Sequence, residues 1–283
     1  MAVTDEHKDD AAITKPEVAP EPTSQTDQTE TPLEALSSIC GVLAVGLFVM
    51  TFVFQNFVIP SGSMEKTLLV GDHVVVDRIS FAPPSKWAPF VHYREPHRGD
   101  VIVFFKPNPV PSDPPDIVLV KRLIAVPGDR LHLEHGVLYL NGVKQNEPYA
   151  AMPHFDPADS ESAYDPARDD FPSLGPPPSS LTTALWTEDW QSHVVNGDLV
   201  VPPGRFFAMG DNRTHSADGR FWGFVPRENI LGRPLFNYWS YEANPEEMDN
   251  PDLTMGQRVG SFFSTALHFF DKTRWKRTLH LIQ

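Results

Sequence analysis

Two lysines compete for one serine. In Pro60-Ser-Gly-Ser-Met-Glu-Lys-Thr-Leu-Leu69, Ser63 and Lys66 stand three apart, the S-x-x-K spacing that can put a base one helical turn beyond a nucleophile. A serine hydroxyl is a weak nucleophile near neutral pH and needs such a base. That chemistry also needs a helix starting at Ser63 and S-D-N and K-T-G companions, and the chain contains neither tripeptide. Pro60 and Gly62 favour a sharp turn here, and Lys66 sits in a polar pair with Glu65, where nothing desolvates it. Lys121 is placed differently, inside Ile117-Val-Leu-Val-Lys-Arg-Leu-Ile-Ala-Val126. On a strand, Ile117, Leu119, Leu123 and Ala125 share its face. Burying an ammonium there is expensive unless it pairs or loses its proton. A free lysine is only about 0.1% neutral at pH ~7.4, and desolvation raises that fraction by orders of magnitude, which makes a general base. The plainer alternative is a lysine whose stem lies on the strand while its head reaches water.

A third stretch, Gly210-Asp-Asn-Arg-Thr-His-Ser-Ala-Asp-Gly-Arg-Phe-Trp-Gly-Phe-Val-Pro226, is dense in polar residues and ends in aromatic ones. Within it Asp218 can pair with Arg220 or with Arg122, and Ser216 can hydrogen-bond an amine. Other candidates carry less. His132 and His135 in "HLEH" fall on opposite strand faces and do not form the H-E-x-x-H zinc pattern. No G-x-S-x-G elbow occurs, and Asn212-Arg-Thr214 is a glycosylation sequon by pattern only. The one cysteine, Cys40, excludes an intramolecular disulfide and a cysteine-based zinc site, and no cofactor or metal is called for.

These residues need elements to hold them. Residues 1–34 are acidic and rich in Pro, Thr and Glu, which reads as a disordered tail. Between Glu34 and Glu65 there is no charged residue, and 35–59 is expected to be a transmembrane helix. A cleavable signal peptide would need a short basic leader, which is missing. Lysine and arginine are sparse at both ends, so charge does not set the orientation. From Pro60 on, short Val/Ile/Phe runs alternate with Gly-Asp and Pro-Gly turns, and Asn141-Gly142 signals a hairpin. This pattern predicts a mainly β catalytic domain over 60–144 and 196–242, interrupted by an inserted Pro-rich region at 145–195. Residues 243–283 read as a helical basic tail, lying on a membrane or docked on the domain. An apolar content of 41% supports a real core, and 29 prolines speak against a helical bundle. A formal charge of −14 argues against nucleic acid as a partner. Nothing in the sequence sets an oligomeric state.

Taken together and in order, "PSGSM", "VKRLIAVPGD" and "GDNRTHSADGRFWGFVP" behind an apolar segment resemble the type I signal peptidases, membrane-bound Ser/Lys endopeptidases. The resemblance covers about residues 50–240 and implies a β-rich catalytic domain with an inserted region behind one transmembrane helix. It implies Ser63 as nucleophile, Lys121 as general base, and the Ser63 N–H with the Ser61 hydroxyl as oxyanion donors. Ser216 would orient the Lys121 amine, Asp218 would bridge to Arg122 and Arg220, and Asp211 would support the site. Phe57, Ile59, Met64, Leu68, Leu119 and Val120 would line shallow pockets for small P1 and P3 residues. The implied partners are exported preproteins and the lipid bilayer, and the implied location is the bacterial cytoplasmic membrane with the catalytic domain outside. The chain departs from the family at Lys66, where proline is common, and at Thr214, His215 and Gly219, where Asp, Asn and Ser are common. Two rivals remain: a self-cleaving repressor-type Ser/Lys peptidase, which needs a DNA-binding module, and an anchored β-domain that only binds peptides.

Overall fold

The computed structural model describes residues 31–86, 92–109, 116–155, 162–243 and 254–282. Most of the expected acidic tail therefore lies outside the described residues. The chain divides into two units, 1–44 and 45–283. Helix Pro32–Phe48 begins with a reciprocal cap: the Thr31 N–H donates to Glu34 Oε2 (2.9 Å) and the Glu34 N–H donates to Thr31 Oγ1 (3.3 Å). Pro32 occupies the first helical position, where its missing N–H costs nothing. The helix widens into a π-turn over Val49–Val53, giving 22 continuous residues, of which an 18-residue stretch has a mean hydropathy of 2.3. At 1.5 Å per residue the full length is about 33 Å, enough to cross a hydrocarbon core of about 30 Å.

The expected helix over 35–59 is too long at its C-terminal end. Phe54–Val58 is strand β1, paired antiparallel with β2 (Asp72–Asp77) from Phe54 opposite Asp77 to Val58 opposite His73. Its aromatic and branched residues suit a pleated surface, and β2 pairs the backbone groups along one side of this edge strand.

Two antiparallel sheets make up the second unit. The larger adds to β1 and β2 the strands β3 (Val101–Phe105), β4 (Val118–Ala125), β10 (Arg205–Met209), β11 (Val225–Pro226), β12 (Ile230–Ser240) and β13 (His280–Leu281). Their order is β1-β2-β12-β3-β4-β10-β11, with β13 also paired to β12. The smaller sheet is built from β5 (Arg130–Glu134), β6 (Val137–Leu140), β7 (Val143–Lys144), β8 (Val194–Val195) and β9 (Asp198–Val200), in the order β7-β6-β5-β9-β8. The Asn141-Gly142 hairpin forms as the sequence indicates, both residues at positive φ (52° and 77°) between paired Leu140 and Val143. The Pro-rich stretch leaves from β7 and returns through β8.

Strand alternation places β10 between two cores. Phe207 and Met209 pack with Leu131, Leu133 and Trp186, while Phe206 and Ala208 pack with Ile102, Leu123 and Trp222. A third core gathers Ile59, Met64, Leu68, Val74 and Val103. The C-terminal region contains the expected helix, Met255–Leu267, opened by a Thr254/Gln257 capping box. It then returns to the larger sheet as β13, opposite Phe236 and Asn237 of β12.

Candidate active site

Ser63 lies in a single 3₁₀ turn, Gly62–Met64, that follows extended Ser61 (φ −129°, ψ 156°). The turn cannot lengthen into a helix. Lys66 adopts φ 83°, and the Thr67 N–H closes a tight turn onto the Met64 carbonyl at 3.0 Å. A proline, with φ fixed near −65°, could not take this conformation, so the departure at Lys66 goes with a different local backbone. The Lys66 ammonium instead donates to the carbonyl of Ala150 at 2.9 Å. The S-x-x-K pairing therefore has no structural basis here.

Lys121 occupies the position opposite Ile102 in the β3–β4 ladder, with Arg122 opposite Val101. Its Nζ lies 2.5 Å from Ser63 Oγ, a separation at which an ammonium donates to the hydroxyl oxygen and a neutral amine accepts its proton. Only 4% of Lys121 is exposed. Desolvation lowers its pKa to about 8, opposed by the negative charges of Asp218 and Asp211 and assisted by Arg220. At pH ~7.4 about a fifth of such lysines would be neutral, against roughly 0.1% for a free one.

The acidic supports separate into two pairs, and this corrects one expectation. Arg122 does not pair with Asp218. Its Nε and Nη2 form a bidentate bridge to Asp211, both at 2.8 Å, and its Nη1 donates to the Gly99 carbonyl at 2.8 Å. Asp211 also accepts the Thr67 hydroxyl at 2.5 Å. Among the described residues Asp218 is taken by Arg220, through Nε (2.9 Å) and Nη2 (2.8 Å), and it accepts the Gly210 N–H at 3.1 Å. Lys121 and Arg122 are consecutive on β4 and leave it on opposite faces, and the contact between distant segments gives Asp211 to Arg122 while Asp218 stays with Arg220, two residues on. Burial pushes the Asp218 pKa up, but the Arg220 charge and hydrogen bonds outweigh it and leave it below the usual range.

Ser216 Oγ is buried and makes no hydrogen bond, so the expected bond to the Lys121 amine is not formed. The hydroxyl is nevertheless close to the nucleophile turn, because a Cβ added at Gly210 would meet both Ser216 Oγ and the Ser63 carbonyl. The Asn212 N–H donates to that Ser63 carbonyl at 3.1 Å, which fastens the 210–213 loop to the turn.

A cleft of about 750 Å³ opens over these groups. Ser61, Ser63, Leu119 and Lys121 line it, with Ala151, Met152, Asn212 and His215 opposite. Of the six residues expected to form substrate pockets, Leu119 alone is on this lining. Ile59, Met64 and Leu68 are buried in the third core, with Phe57 and Val120 packed against it, behind the nucleophile turn. The far wall comes from the Pro-rich stretch. The Ala151 N–H donates to the Asp211 carbonyl (2.7 Å), and the Arg213 N–H donates to the Ala151 carbonyl (3.1 Å). Glu147, whose side chain is 4% exposed, grips Arg213 through two bonds of 2.8 and 2.6 Å and accepts the Tyr149 hydroxyl, while Arg122 stacks on the Tyr149 ring at 4.0 Å. The acid and aromatic of Asn146-Glu-Pro-Tyr149 were the only sequence signal for this wall.

The signal peptidase family, described as "Signal peptidase, peptidase S26", matches residues 33–239. A signal peptidase I of Aquifex aeolicus is 33% identical over 244 residues, covering 77% of this chain and 89% of that protein. A probable signal peptidase I-2 of Synechocystis is 30% identical, covering 70% of this chain and 68% of that one. A signal peptidase I of Haemophilus influenzae is likewise 30% identical, over 76% and 71% of the two chains. With a match spanning both lysine-bearing stretches, the cleft loop and the apolar helix, the chain belongs to the signal peptidase family, serine endopeptidases of the signal peptidase I kind.

Proposed function

We propose that the protein is a single-pass membrane endopeptidase that removes signal peptides from exported preproteins with a Ser63/Lys121 dyad. The observation that carries this reading is the 2.5 Å approach of a buried lysine with a pKa of about 8 to a serine hydroxyl on the floor of an open cleft. Neutral Lys121 takes the Ser63 proton as Oγ attacks the scissile carbonyl, and the resulting ammonium gives it to the leaving amine. The Ser63 N–H and the Ser61 hydroxyl stabilise the oxyanion. Water, activated by the same amine, then releases the acyl group. Ser216, whose buried hydroxyl lacks a partner, is suited to hold the amine when Ser63 is acylated and its oxygen is no longer free to do so.

The cleft walls are Ala151 and Leu119, with Met152 beside them, so a substrate strand fits best with small P1 and P3 side chains. The apolar helix Pro32–Val53 anchors the enzyme in the bacterial cytoplasmic membrane, with the catalytic domain on the outer face.

The test is cleavage of a preprotein by the full chain in detergent. A single cut after a small P1 residue is expected, blocked by a bulky P1 and absent in Ser63→Ala. A Ser63→Ala enzyme that still cuts would refute the reading. Activity should also follow Lys121. Because the amine must be neutral to act, kcat/KM falls about tenfold per pH unit below about pH 8 and levels off above it. A flat profile between pH ~6 and ~8 would remove Lys121 as the titrating base. Ser61→Ala should lower kcat by about 10²–10³ with little change in KM, as expected when one oxyanion donor is lost. Equal losses in substrate binding would place Ser61 in ground-state contacts instead.

A further inference from the structure

The family match ends at residue 239, yet the segment that follows the C-terminal helix closes underneath the nucleophile turn. The loop carrying Ser63 spans Ile59 to Asp72 and is tied at its base, where the Ile59 N–H donates to the Asp72 carbonyl (2.9 Å) and the Gly71 N–H donates to the Ile59 carbonyl (2.9 Å). Arg277 Nη2 reaches into this loop twice, donating to the Thr67 carbonyl at 2.9 Å and to Asp72 Oδ2 at 2.6 Å. Arg274 adds a third bond, to the Val70 carbonyl at 2.9 Å. Ile282 then enters the same core as Ile59, Met64 and Leu68, its N–H bonded to the Leu235 carbonyl at 3.0 Å.

We propose that this C-terminal segment, through Arg277 and Ile282, is a clasp that holds the Ser63 turn in register with Lys121; this rests on the Ser63/Lys121 reading. Thr67 is the junction. Its carbonyl accepts Arg277, while its hydroxyl donates to Asp211 at 2.5 Å and accepts from Arg122 Nη2 at 3.2 Å. One residue thus links the tail to the serine turn on one side and to the strand bearing Lys121 on the other. Asp72 is fully buried, and among the described residues Arg277 is the cation paired with it. Without Arg277 the Thr67 carbonyl loses a donor and Asp72 its counter-ion, and the turn four residues beyond Ser63 is free to shift. A misplacement of about 1 Å at reacting atoms is enough to cost roughly 10² in rate. Arg277 and Ile282 touch neither substrate nor the reacting atoms, so they are positioning residues.

The experiment measures kcat and KM of full-length variants on a preprotein, with Ser63→Ala as the reference. Arg277→Ala is expected to lower kcat about 10- to 100-fold with KM within about twofold, while unfolding stays cooperative above the assay temperature. Arg277→Lys should recover part of that loss, since an ammonium can reach one of the two acceptors. Lys276→Ala, at an exposed neighbour, should leave kcat unchanged. If Arg277→Ala does not fold, Ile282→Val carries the test, and a several-fold fall in kcat at constant KM supports the clasp. An inactive Ser63→Ala beside an Arg277→Ala or Ile282→Val enzyme with wild-type kcat overturns the clasp and leaves the dyad standing. An active Ser63→Ala overturns the dyad itself.

Discussion

Lys121→Met abolishes preprotein cleavage, lowering kcat by at least about 10³–10⁴, while Lys66→Ala leaves it within a few-fold of the parent enzyme. Methionine keeps the length and apolar stem of lysine, so the strand around Leu119 and Leu123 stays packed and the change is confined to the amine. Burying a neutral thioether in place of an amine near Asp218 and Asp211 removes a desolvation penalty, so the variant should be no less stable than the parent. Loss of activity in a protein that melts at the same or higher temperature therefore points at chemistry. Lys66 makes the opposite control. Its ammonium holds one carbonyl, that of Ala150, and its loss costs about 0.5–1.5 kcal/mol of local hydrogen bonding. A dead Lys66→Ala beside an active Lys121→Met would reverse the assignment of the base.

The difference between these two lysines was legible in the sequence because it is a matter of local environment. An apolar strand surrounds Lys121, whereas Glu65 and a helix-breaking Pro60 and Gly62 flank Lys66. The β-rich architecture was legible for a related reason: glycine turns such as Asn141-Gly142 fix hairpins between neighbours in sequence. What stayed hidden depends on contacts between distant segments. Strand parity separates Lys121 from Arg122, but it could not say that Asp211 rather than Asp218 would receive Arg122, 89 positions away. Met64 and Leu68 flank the nucleophile and so resemble pocket walls, yet their side chains turn inward to a core completed by Ile282. Ala151 and Met152 carry no chemical signal of their own. They reach the cleft because Glu147 and Ala151 are bonded to the 211–213 loop. The apolar run past Val53 has no charge to mark where helix gives way to β1, since the boundary is set by pairing with β2.

Asp218→Asn is the sharper test of how the site is tuned, because stability and pH profile should move for separate reasons. Asp218 and Arg220 are both fully buried and share three hydrogen bonds, two from the guanidinium and one from the Arg220 N–H. Neutralising the carboxylate leaves the Arg220 guanidinium without its close counter-ion; its next carboxylate, Asp169, is 3.7 Å away. Breaking a buried pair from one side typically costs about 3–5 kcal/mol, which for a domain of this size lowers Tm by roughly 6–20 °C. Below that lowered Tm the remaining enzyme should still cut, since Asp218 touches neither Ser63 nor the Lys121 amine by any hydrogen bond among the described residues. Its negative charge, however, does more than that of Asp211 to hold the Lys121 pKa up against desolvation, and Arg220 pushes the same way as desolvation. Removing the carboxylate lets both act unopposed by it. The Lys121 pKa then falls below about 8, the amine is neutral over a wider range, and the acid limb of kcat/KM moves to lower pH. A variant that is less stable yet retains activity further into acid would show that the ion pair restrains the base as well as supporting the fold. An acid limb that stays in place or moves upward would mean that Asp218 does not set the protonation of Lys121.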